Sequence, residues 1–91
     1  MSIEIENLES QSRLRVYLAL TILDRIVPRI LNDGVFIGER IALAHTWYLF
    51  LCQISRCPNV PSPEKWGVDE LKIIAENLVG FARSLLKDYI S

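Results

Sequence analysis

The segment from about Val35 to Arg56 carries apolar side chains around nearly the whole circumference of the helix that its sequence predicts. A helix that is apolar on all sides must be covered on more than one face. Two other helices of the same chain can cover part of it, and a second copy of the chain would cover the rest. We therefore expect a homodimer that pairs through the second or the first helix. The interface candidates are Leu43, Trp47, Tyr48, Phe50, Leu51 and Ile54.

Two breaks divide the chain into three predicted helices. Asn32-Asp33-Gly34 indicates a helix stop, with Gly34 in the left-handed conformation that commonly follows a helix. Three prolines between Cys57 and Pro63 exclude a helix there. The helices are expected at about 8–31, 35–56 and 69–89, with a short helical turn near 62–67. The predicted fold is therefore an all-α bundle of three long helices, completed by homodimerisation.

The apolar patterns at the two ends of the chain support this organisation. The first helix has a broad apolar arc interrupted by Pro28, which predicts either a kink or a break after Val27. The third has a one-sided apolar stripe, with Asp69 as its expected N-cap. Trp66, just upstream, is expected to fold back over the core. The whole chain, 1–91, reads as a single domain with a disordered start at 1–7 and a proline-rich loop at 57–63.

Composition limits the classes of function. Apolar residues make up 51% of the chain, which is more than a domain of 91 residues easily buries. The formal net charge of −1 lacks the basic excess typical of a nucleic-acid binder. The longest uncharged run, Ile41 to Ser55, is shorter than the roughly 18–20 residues of a membrane span. The acidic N-terminus has no secretory signal pattern, so we expect a cytoplasmic protein.

The two cysteines, Cys52 and Cys57, are interpreted as buried thiols, because a reducing compartment disfavours a disulfide. His45 and Cys52 are seven residues apart and share a helix face. Two chains could therefore offer zinc two histidines and two cysteines. Nothing else in the sequence supports a metal site, and we expect no metal and no cofactor.

Arg40 and His45 form an Arg-x4-His spacing, which resembles the signature of the HEPN ribonucleases. Members of that family are all-α dimers whose Arg and His meet across a subunit interface. The resemblance implies a ribonuclease with Arg40 and His45 as its catalytic pair. The residues themselves favour another interpretation, in which His45 lies on a narrow polar strip and the stem of Arg40 packs under its neighbours. If Arg40 is buried, it should have an acidic partner.

Arg15, Leu18, Arg25 and Arg29 line one edge of the first helix, and arginine beside aliphatic residues is common at protein interfaces. They are the candidates for binding a larger protein. The predicted function is a small cytoplasmic interaction module without catalysis, of the adaptor, inhibitor or immunity-type regulator class. The alternatives are the ribonuclease and a dimeric DNA-binding regulator. The charge balance and the apolar second helix both argue against DNA binding.

Overall fold

Three helices surround one core. The computed structural model describes residues 13–54 and 61–90. Within these ranges α1 covers 13–30, α2 is Ile37–Ile54 and α3 is Val68–Ile90, with a 3₁₀ turn at Pro63–Lys65 before α3. No strand occurs among the described residues, and no described helix is long and apolar enough to cross a membrane. The prediction of an all-α bundle of three long helices is confirmed.

The α1 helix passes through Pro28 without a break. Within α1, the five residues Ile22–Ile26 form a π-helical segment, in which the N–H of Val27 donates to the carbonyl of Ile22. The α-helical pattern resumes at Val27–Ile30 with Pro28 in its first turn. A proline lacks the N–H that continues the helical hydrogen bonds, and its ring crowds the carbonyl four residues earlier. The wider π turn before Pro28 relieves this conflict.

The turn between α1 and α2 differs from its prediction. The Asn32 side-chain Oδ1 accepts a hydrogen bond of 2.9 Å from the N–H of Gly34, and the carbonyl of Asn32 accepts one from Val35. None of the glycines in the described ranges has a positive φ, so the prediction of a left-handed Gly34 was wrong. The side chain of Asn32 turns the chain instead, as asparagine commonly does. The first turn of α2 then closes on the carbonyl of Phe36.

The start of α3 also differs from its prediction. The helix begins at Val68, and the N–H of Gly67 donates to Glu70 Oε2 over 2.8 Å. This is the carboxylate half of a capping box, with the carboxylate near the positive end of the helix dipole. Asp69 therefore lies in the first turn and is not the N-cap.

The core lies between all three helices, and the large side chains at its centre are Ile22, Ile30, Leu71, Ile74 and Leu78. Trp66 covers one end of it. Its ring is buried, it meets the rings of His45 and Tyr48 edge to face, and its Nε1–H donates to the carbonyl of Pro61 over 2.6 Å. The predicted cover by Trp66 and the turn near 62–67 are both present. The predictions for 1–7 and for 57–60 lie outside the described residues.

Candidate functional site

Four apolar side chains form a stripe along α2 that the chain covers only in part. Leu43, Trp47, Phe50 and Ile54 follow one another at intervals of four, three and four residues, the spacing of a coiled-coil seam. Leu43 and Trp47 are half-buried against the core, whereas Phe50 and Ile54 are 37% and 56% exposed. The rings of Trp47 and Phe50 meet edge to face, with centroids 5.8 Å apart. We call these four residues the α2 stripe.

Polar and charged residues lie beside the Leu43 end of the α2 stripe. Arg25 and Arg29 of α1, with Glu39 and Thr46 of α2, line a shallow depression next to Leu43. Arg29 Nη2 lies 3.9 Å from Glu39 Oε2, and because both side chains are largely exposed the pair contributes little stability. These charges remain accessible to another molecule. An apolar strip with a polar rim is the common composition of a protein interface.

Two of the six predicted interface residues are not on the surface. Tyr48 and Leu51 are buried in the core of their own chain, against the inner faces of α1 and α3. Tyr48 is 9% exposed and Leu51 is 3% exposed in the single chain, so little of either side chain is available to a second copy. Leu43, Trp47, Phe50 and Ile54 stay as predicted interface residues.

The row predicted along α1 is interrupted. Arg15 and Leu18 precede the π segment Ile22–Ile26, whereas Arg25 and Arg29 lie within and after it. The π pattern adds a residue to the turn, so a projection at about 100° per residue does not continue across it. Arg15, Arg25 and Arg29 are exposed, and Leu18 is half-buried against the core. Arg25 and Arg29 line a depression together with residues of α2.

Arg40 is buried, as its position in the apolar pattern suggested, and it has an acidic neighbour. Its Nε–H donates to the carbonyl of Ile30 over 2.8 Å, near the end of α1. Its Nη2 lies 3.7 Å from Asp33 Oδ1, which is longer than a hydrogen bond. The side chain of Arg40 is 6% exposed and that of Asp33 is 95% exposed. The guanidinium therefore joins the end of α1 to α2.

The side chains of Arg40 and His45 have different partners. His45 is half-buried and packs its ring against Trp66, with centroids 5.6 Å apart, while Arg40 contacts the end of α1. Each residue therefore has a structural contact of its own within the chain.

Cys52 differs from its prediction. It is exposed and disulfide-bonded, so it is neither a buried thiol nor a thiolate that could bind zinc. The other cysteine of the chain, Cys57, lies outside the described residues. In the part of the chain that the structure describes, no group of three or more His, Cys, Asp or Glu side chains is placed to hold a metal ion.

A groove at the end of α1 was not predicted. It has a volume of about 690 Å³ and lies between the end of α1, Arg40 and one side of α3. Lys72, Glu76 and Arg83 line it, although the sequence pattern places them on the polar face of α3. The signal in the sequence was Gly80, a residue without a side chain in the middle of that polar face.

Comparison of the chain with models of protein families, with curated proteins and with solved structures found no match. A functional assignment therefore depends on the surfaces of the chain itself.

Proposed function

We propose that this chain is a protein-interaction module that pairs with a second copy of itself through the α2 stripe. The observation that carries the proposal is the exposure of Phe50 and Ile54 in line with Trp47 and Leu43. Neighbouring exposed apolar side chains favour a binding surface, because isolated ones are normal on monomers and contiguous ones are not. Binding rather than catalysis is the function that these side chains can perform.

The properties of the stripe fit a second copy of the chain. Its four-three-four spacing lets two antiparallel α2 helices interlock their side chains about a twofold axis. The rim carries Arg25 and Arg29 together with Glu39, so each copy presents both signs of charge. The net charge of −1 adds little repulsion between copies.

Sedimentation velocity at micromolar concentration tests this proposal. We expect the native chain to sediment as a dimer, and Phe50→Glu and Ile54→Glu to sediment as folded monomers, because a carboxylate in an apolar interface is strongly disfavoured. Both residues are exposed in the single chain, so the substitutions do not disturb its core. Leu51→Glu would not distinguish dissociation from unfolding, since Leu51 is buried in its own chain.

The matched control is Ile73→Glu, which places the same charge on an aliphatic residue that is 45% exposed on α3. This variant should remain dimeric, and circular dichroism should show native helix content in all three variants. A native chain that stays monomeric at all concentrations would contradict the proposal. Dissociation of Ile73→Glu to the same extent would also contradict it.

We further propose that the rim arginines contact a larger protein, which would make the module an adaptor, inhibitor or immunity-type regulator. Arg25 and Arg29 are exposed, and arginine is enriched at interfaces. Affinity capture from the source cells should recover a protein with the native chain but not with Arg25→Ala/Arg29→Ala. The matched control, Lys72→Ala/Lys87→Ala, removes two exposed charges from α3 and should capture as the native chain does.

The cytoplasm is our proposed location. A disulfide at Cys52 is more typical of an oxidising compartment. The redox state of Cys52 in the cell therefore reports on the location of the protein. Alkylation of intact cells followed by mass spectrometry tests it. Reduced, alkylated Cys52 supports the cytoplasm, and a bond that persists in intact cells contradicts it.

A further inference from the structure

The groove between α1 and α3 has the size of a small-molecule site. Its volume of about 690 Å³ lies within the range of roughly 300–1,000 Å³ that is common for ligand pockets. Val27 and Leu31 line it from α1, and Ala75 and Val79 line it from α3. An apolar ligand would therefore have hydrocarbon on both sides. The groove and the α2 stripe share no residue.

The floor of the groove is open at Gly80. A Cβ built at this position meets no other atom within 4 Å. Space remains there for a ligand, and a larger side chain at the same position would occupy it. The groove can therefore be filled by substitution without moving the helix.

Arg40 supplies a charge that its own chain compensates only weakly. A guanidinium has five N–H donors, and one of them, Nε–H, donates to the carbonyl of Ile30. The remaining contact is the ion pair of 3.7 Å with Asp33, whose side chain is almost fully in solvent. Among the described residues no other side chain forms an ion pair with Arg40. Because a buried charge is costly without a close partner, this guanidinium is suited to an anion in the groove.

The charges around the groove favour an anion with a single charge. Arg40, Lys72 and Arg83 are cationic, whereas Asp33 and Glu76 are acidic, so the lining carries one net positive charge. A carboxylate also matches the planar guanidinium, which can donate parallel hydrogen bonds from its two terminal nitrogens. A phosphate dianion would exceed the charge of the lining.

We propose that this groove binds a small amphipathic carboxylate. The carboxylate lies on the terminal nitrogens of Arg40, and the hydrocarbon extends along Val79 towards Gly80. Lys72 and Arg83 make the electrostatic potential positive at the opening of the groove, where their exposed side chains remain solvated. Binding of a ligand in the groove does not require the chain to self-associate through the α2 stripe.

Octanoate is the probe, and amide-detected NMR of the isotopically labelled chain is the measurement. We expect saturable shifts in the Gly80 and Val79 amides and in the Nε–H resonance of Arg40. Acetate has the same head without the chain, and octan-1-ol has the chain without the charge. Each should bind at least about tenfold more weakly than octanoate, a difference of about 1.4 kcal/mol. Equal affinity for octanoate and octan-1-ol would overturn the role of Arg40.

Substitution at Gly80 keeps the test independent of folding. Gly80→Leu fills the groove, and it should weaken octanoate binding by at least about tenfold while the helix is retained, because leucine is a better helix former than glycine. Ser84→Leu, at an exposed position of α3 that does not line the groove, is the control and should bind octanoate as the native chain does. Native-like binding by Gly80→Leu, or shifts confined to other surfaces, would overturn the site.

Arg40→Met separates charge from shape. A folded variant should lose at least about tenfold in octanoate affinity and keep its affinity for octan-1-ol. Unchanged octanoate binding by this variant would overturn the proposal. If the variant does not fold, the Gly80→Leu comparison decides the question alone.

Discussion

The guanidinium of Arg40 is held by a backbone carbonyl at 2.8 Å and by an ion pair at 3.7 Å. The two contacts differ in environment, because Ile30 is buried and Asp33 is in solvent. A hydrogen bond to a buried carbonyl is costly to remove, whereas an ion pair with a solvated partner is screened. The carbonyl contact should therefore contribute most of the stability that Arg40 provides.

Substitutions at the two ends of the ion pair test this assignment. Arg40→Ala should lower the free energy of unfolding by about 2 to 4 kcal/mol, because it leaves the carbonyl of Ile30 unpaired and removes a buried side-chain stem. Asp33→Asn should lower it by less than about 1 kcal/mol. Urea denaturation of both variants measures the difference. Equal losses would show that the ion pair is the main contact.

Gly80 is a second residue with a measurable effect on stability. It lies in the middle of α3, is exposed, and has open space where a Cβ would stand. Gly80→Ala should raise the free energy of unfolding by roughly 0.5–1 kcal/mol, because glycine loses more backbone freedom than alanine in a helix. Thermal denaturation measures the gain. A loss of stability would mean that the backbone at this position requires glycine.

At the scale of elements, each helix has a local feature that sets its course. The π segment lets α1 continue through Pro28, and the side chain of Asn32 turns the chain into α2. The contact between Gly67 and Glu70 fixes the start of α3. The sequence shows Pro28, Asn32 and Glu70, but a proline inside a helix can be accommodated by a kink, a break or a π segment, so the pattern alone does not select the π segment.

The contact between Glu70 and the N–H of Gly67 should stabilise the start of α3. Glu70→Ala should lower the free energy of unfolding by about 1 kcal/mol, because the N–H of Gly67 loses its acceptor and the helix dipole loses a favourable charge. Glu70→Gln should lose less, since glutamine also completes a capping box. Glu76→Ala, in the middle of the same helix, is the control and should have a smaller effect. A loss at Glu76 as large as that at Glu70 would contradict the capping role.

At the scale of the whole molecule, the three helices protect one core and leave two distinct surfaces. The α2 stripe lies on one surface and the groove on another, with no residue in common.

The redox state of the chain can be tested directly. Purified without reductant, the protein should show no thiol that reacts with a colorimetric reagent, because Cys52 is disulfide-bonded and no described cysteine is free. After unfolding and reduction it should show two, the number of cysteines in the sequence. A full thiol count before reduction would contradict the bond at Cys52.

The fold class, the approximate extents of the helices and the unusual position of Arg40 could all be predicted from the amino-acid pattern. These properties follow from local causes: apolar periodicity, proline and turn residues, and the cost of burying a charge. The pattern could not predict that Tyr48 and Leu51 are buried in the core while Phe50 and Ile54 are exposed. A helix that is apolar on nearly every side has no preferred inner face of its own. The positions of α1, α3 and Trp66 therefore select which side of α2 is buried.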